Sequence, residues 1–183
     1  MLRKVVLFII IAICFVLQST VFQALSFANI APNLMLIVVS SFGFMRGRKE
    51  GMFIGFFCGL LIDIFCGFYL GVYALLYMYI GYCNGIFQKR FYPDDIKFPM
   101  LLIGASDILC NLAIYFIMFL FRGRFDFLYY GRSVILPEFV YTMVITIFLY
   151  YILQKINQKL EISEKRRAKK FDLWYKRFYE EVF

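Results

Sequence analysis

The stretch Gly51-Met-Phe-Ile-Gly55-Phe-Phe-Cys-Gly59-Leu-Leu-Ile-Asp63 carries the reading of the fold. It opens an uncharged run, Gly51–Gly67, that is broken only by Asp63. A spacing of four puts Gly51, Gly55 and Gly59 on one helix face, and Asp63 continues the same face. Small residues in such a stripe let the backbone of another helix come close, which is how helices pack in lipid without a hydrophobic driving force. Packing within the chain is the first reading of the stripe, and contact with a helix of another molecule is the second. A carboxylate in such a segment is expensive and faces protein or water rather than lipid.

Outward from this run the same texture repeats. Val5–Phe22, Pro32–Met45, Tyr69–Phe87, Pro99–Phe121 and Val134–Leu153 are further apolar runs separated by charged or turn-forming segments. Pro32–Met45 is short, about 21 Å as a helix against a hydrocarbon layer of about 30 Å. Val5–Phe22 follows Arg3 and Lys4 as a signal peptide does, but continues past any small-residue cleavage site and is read as an uncleaved helix. Of the 183 residues, 63% are apolar and only 17% charged. A soluble domain is nearer half apolar and a quarter charged. The surplus must face lipid. The fold class is therefore an all-α integral membrane protein with about six transmembrane helices over residues 1–153. A basic amphipathic cytoplasmic tail follows over 154–183.

Orientation follows from the rule that cytoplasmic loops carry the excess Lys and Arg. With the N-terminus inside, seventeen of the twenty basic residues are cytoplasmic. Only Arg122, Arg124 and Arg132 fall outside. The expected topology is N-in/C-in, multi-pass, in a bacterial cytoplasmic membrane.

Composition also excludes chemistry. There is no histidine, hence no histidine-based triad and no histidine-ligated metal. The five cysteines, Cys14, Cys58, Cys66, Cys83 and Cys110, lie in apolar runs without a C-x-x-C pair and read as free thiols buried as small hydrophobes. No catalytic residue, cofactor, metal or nucleic acid is implied.

The remaining polar residues suggest contacts. Asp63 and Glu138 are expected to pair with some of Arg122, Arg124 and Arg132, which would account for the local breach of the charge rule. Asp107 and Asn111 lie one helical turn apart, and Asn84 lies toward the inner end of its run; such groups can join helices. In the tail, Phe171, Trp174, Tyr175, Phe178 and Val182 fall on one stripe with basic residues opposite, although Leu173 is off it. That pattern fits a helix on an anionic lipid surface. A plain solvated tail and a partner-binding helix remain as alternatives.

These features in this order resemble the rod shape-determining protein MreD family. The resemblance rests on Pro32-Asn33 opening a short apolar helix. Gly55-x-x-x-Gly59-Leu-Leu-x-Asp63-x-x-x-Gly67-x-x-Leu70-Gly71 follows, and then a span with Ile80-Gly81-Tyr82. The resemblance implies a fold similar to the substrate-binding membrane subunits of energy-coupling-factor vitamin transporters. It implies a non-catalytic scaffold of the bacterial cell-elongation complex that binds MreC and supports lateral peptidoglycan synthesis. MreB, RodA and a class B penicillin-binding transpeptidase would stand in the same assembly. Pro32, Asn33, Gly59, Asp63, Gly67 and Gly71 are the family-matching positions. A vitamin-binding transporter subunit is the alternative, but the Ala-x-x-x-Ala docking pattern common in the first helix of such subunits is absent, where only Ala12 stands. An enzyme of lipid-linked wall precursors would need paired external acids, and only Asp126 and Glu138 are available there.

Overall fold

The computed structural model describes residues 2–21, 31–65, 70–89, 97–122 and 130–182, and their regular structure is entirely helical. Helix α1 is Leu2–Val16, continued by a π turn at Leu17–Val21. Helix α2 is Leu34–Arg46, α3 is Arg48–Phe65 and α4 is Val72–Ile86, the last ending in a 3-10 turn at Phe87–Lys89. Helix α5 is Lys97–Arg122, and α6 is Leu136–Val182, entered through a π turn at Gly131–Ile135.

The short helix α2 is the centre. Every residue from Leu34 to Phe44 is buried, Met35 through Val39 completely. A helix that is apolar all round has no face for water and belongs inside. The other five helices all pack against it. Its 13 residues give about 20 Å, less than the hydrocarbon thickness. Surrounded in this way, it does not have to reach either headgroup layer itself.

Beside α2, helices α3 and α4 form an antiparallel hairpin with almost no side chain between them. Gly51 lies against Gly81, Gly55 against Tyr77, and Gly59 against Tyr73 and Ala74, so four residues forward on one helix match four back on the other. A Cβ at Gly55 would overlap the Tyr77 carbonyl, one at Gly59 the Tyr73 carbonyl, and one at Gly81 the Gly51 carbonyl. The glycine stripe of α3 thus faces α4 of the same chain. Gly43 on α2 also sits against the Gly81 carbonyl, which brings three backbones together at one level.

The outward surface is apolar. Phe8, Phe53, Leu101, Leu109, Phe116 and Phe148, spread over four helices, are all exposed, which suits lipid and not water. Among the described residues, three helices are long and apolar enough to cross a membrane, at Arg3–Val21, Lys97–Ile117 and Gly131–Arg166. The runs read as the second, third and fourth spans form the shorter helices α2, α3 and α4. The boundary drawn at 153/154 falls inside α6, which runs unbroken for 47 residues, about 70 Å and twice the hydrocarbon layer. Cys14, Cys58 and Cys110 are buried free thiols as expected, but Cys83 is exposed, because it lies on the outer face of α4. Cys66 lies outside the described residues.

The hairpin predicts a sharp asymmetry among glycine substitutions. Gly55→Ala should cost about 1–3 kcal/mol or prevent accumulation, because the methyl group would meet backbone rather than a movable side chain. Gly131→Ala, with open space around it, should leave stability unchanged. Membrane levels and the thermal midpoint of detergent-purified variants provide the check.

Candidate functional site

Two polar clusters close the bundle at opposite ends, and a third lies inside it. At the end where α2 begins, Asn33 caps the helix by accepting the Leu36 amide on Oδ1 at 3.2 Å. The same oxygen accepts the Tyr77 hydroxyl at 2.6 Å. The Asn33 amide donates to Thr142 Oγ1 on α6 at 3.2 Å, and the Met35 amide donates to Gln18 Oε1 beyond α1 at 3.0 Å. The Leu34 amide reaches the Pro32 carbonyl at 3.1 Å, and Ile37 makes the first regular helical bond to Asn33 at 3.2 Å. The opening amides of α2 are thereby all satisfied, in a setting where an unsatisfied one costs several kcal/mol.

Asp63 performs the same task for α4. Its carboxylate accepts the amides of Gly71 at 3.0 Å, Tyr73 at 3.1 Å and Ala74 at 2.9 Å. Gly71, the residue at the helix start, has φ +99° and supplies no capping side chain. The acceptor must come from elsewhere, and the last turn of α3 provides it. A negative charge at a helix N-terminus also meets the positive end of the helix dipole. The partners that Asp63 has among the described residues are thus amides of its own hairpin, and the expected pairing with the arginines falls on residues largely outside them. Arg132 is exposed, and the Arg122 side chain and all of Arg124 lie outside the described residues, as does Gly67.

Tyr77 joins these two caps. It is fully buried, its carbonyl lies against Gly55, and its hydroxyl reaches Asn33. Pro32, Asn33, Asp63 and Gly71, far apart in sequence, thus belong to one end of the molecule. Sequence reasoning missed Tyr77, Thr142 and Gln18. A hydroxyl or amide in an apolar run at the depth of a helix start was the available signal.

At the other end, Arg3 of α1 donates to Glu50 at 2.5 Å and to Glu164 at 2.8 Å. Arg46 donates to Glu164 at 3.0 Å and to Asn157. Four helices meet there through charge. The contact also fixes α6 well past its apolar section, at residues 157–164. Phe171, Trp174, Tyr175, Phe178 and Val182 lie further along the backbone of α6, and their side chains lie outside the described residues.

Inside the bundle, Asn84 and Ser106 exchange hydrogen bonds at 3.0 and 3.2 Å. Asp107 and Asn111 are both buried, and Glu138 lies near enough to both to interact with them. Glu138 thus meets residues of α5. Among the described residues, neither Asp107 oxygen has a hydrogen-bond partner. Among the described residues, no three His, Cys, Asp or Glu side chains converge as a metal site would require.

The fold and these clusters define a class: a helical membrane protein whose polar residues hold helices to one another. Within that class the family is shown. The chain belongs to the MreD family, whose model, rod shape-determining protein MreD, matches residues 1–160. Its role is accordingly in the determination of rod shape. No curated protein and no solved structure matches the chain.

If Asp63 serves α4 in this way, its replacements should rank by how many amides they leave without an acceptor. Asp63→Asn keeps one good acceptor and should lose about 1 kcal/mol, and Asp63→Ala should lose about 1–3 kcal/mol or more. Thermal midpoints of the purified variants test the order. Equal midpoints for all three proteins would remove the capping role.

Proposed function

We propose that this chain is a non-catalytic, multi-pass scaffold of the bacterial cytoplasmic membrane, N-in/C-in, and that it binds MreC within the cell-elongation complex. In this reading it works beside MreB, RodA and a class B penicillin-binding transpeptidase in lateral peptidoglycan synthesis. The family match over residues 1–160 carries the proposal. The geometry favours it, because the polar groups with described partners cap helices or join them. All six helices then cross the bilayer, the three short ones shielded by the three long ones. The clustering of Arg3, Arg46, Glu50 and Glu164 at one end supports a common side for the N-terminus and the far part of α6. That side is the basic one and hence the cytoplasm. The proposed likeness to vitamin-transporter subunits concerns architecture alone.

Depletion in the rod-shaped host, with recovery of partners from the same membranes, tests the function. Rounded, swelling cells and co-purified MreC are the expected result. Normal rods together with a co-purified energising ATPase or a bound vitamin would overturn it.

A further inference from the structure

A groove of about 530 Å³ runs between α1 and α3 on the outer surface of the bundle. Its walls are apolar, with Leu7, Phe8 and Ile11 on one side and Phe53, Phe57 and Leu61 on the other. One end alone is charged, by Arg3, Lys4 and Glu50. Arg3 is already held by Glu50 and Glu164, and Arg46 also pairs with Glu164, so these two arginines and two glutamates balance one another. Lys4 makes no ion pair among the described residues and is exposed at the groove mouth.

Length decides what fits. From Glu50 to Leu61 the α3 wall rises about 16 Å, half of the roughly 30 Å hydrocarbon layer. A partner's transmembrane helix would need an apolar seat along the whole layer. One leaflet's acyl chain needs only half, with its headgroup at the charged end. We propose that this groove is a site for an anionic phospholipid of the cytoplasmic leaflet, its acyl chain between α1 and α3 and its phosphate on Lys4. Assignment to that leaflet rests on the orientation proposed above, but the groove and its charge preference do not.

Quenching of a single tryptophan by brominated lipid tests the site. Trp174 is the only tryptophan, so Trp174→Phe gives a silent background. Into it, Phe57→Trp places a reporter on the α3 wall, Phe8→Trp a second on α1, and Phe148→Trp a control on the outer face of α6. The full chain is reconstituted in phosphatidylcholine vesicles with a fraction of brominated phosphatidylglycerol or brominated phosphatidylcholine. At the groove reporters, the apparent affinity for the anionic lipid should exceed that for phosphatidylcholine by about fivefold, the factor that one lysine facing an anionic headgroup confers. Lys4→Glu should abolish the preference, and the Phe148→Trp control should show none. Equal quenching by the two lipids at both groove reporters would overturn the proposal. Protection of both reporters from either lipid would overturn it too, by assigning the groove to a protein segment. Neither result would bear on orientation, which reporter fusions at the termini read separately.

Discussion

The hydrocarbon layer offers no water to a helix end, and the structure depends on how the chain meets that constraint. Two helices, α2 and α4, begin at the same end of the bundle as Asn33 and Asp63, inside an apolar coat. Each needs acceptors for its first amides. Asn33 serves α2 from the position just before it. Asp63 serves α4 from the helix before it, which also fixes the turn between them. Tyr77 connects the two solutions, so that α2, α3 and α4 have one common register. The Pro32-Asn33 and Asp63…Gly71 elements are in this sense parts of a single device.

Once the register is set, glycine determines how closely the hairpin closes. Dispersion in lipid rewards only close approach, and the Gly51, Gly55 and Gly59 stripe brings α3 onto the backbone of α4. That contact leaves the large side chains of α3, Phe53, Phe56 and Phe57, pointing outward. The apolar groove beside α1 follows from the same economy of space: a helix that presents glycine inward presents its aromatics to lipid. At the far end, the Arg3, Arg46, Glu50 and Glu164 cluster joins four helices. It holds α6 at residues 157–164, past its apolar section, within a helix that continues to Val182.

Much of this was legible in the sequence, for physical reasons. A spacing of four is a statement about a helix face, so the glycine stripe and the position of Asp63 on it could be read directly. The membrane class followed from an apolar surplus that no core of this size can hold. The partners of Asp63 could not be read, because a carboxylate is recognised equally by arginine and by amides, and backbone donors leave no trace in composition. The neighbours of Glu138 among the described residues, Asp107 and Asn111, could not be read either, because the packing of α6 on α5 joins residues far apart in sequence. The hydroxyls of Tyr77 and Thr142 were hidden among residues that also serve as ordinary apolar filling. The unbroken run of α6 past residue 153 was hidden by the change from apolar to charged composition, which alters what surrounds a helix without ending it.

Hydrogen exchange in lipid nanodiscs tests the central claim most directly, read at the amides of residues 34–36 and 71–74. If side chains cap these helix starts within the bundle, the amides exchange as slowly as those in mid-helix, Asn33→Ala releases that of Leu36, and Asp63→Ala releases those of Gly71, Tyr73 and Ala74. Rapid exchange of both sets in the unaltered protein would mean that water reaches these ends, and the account of how this bundle is held together would be contradicted.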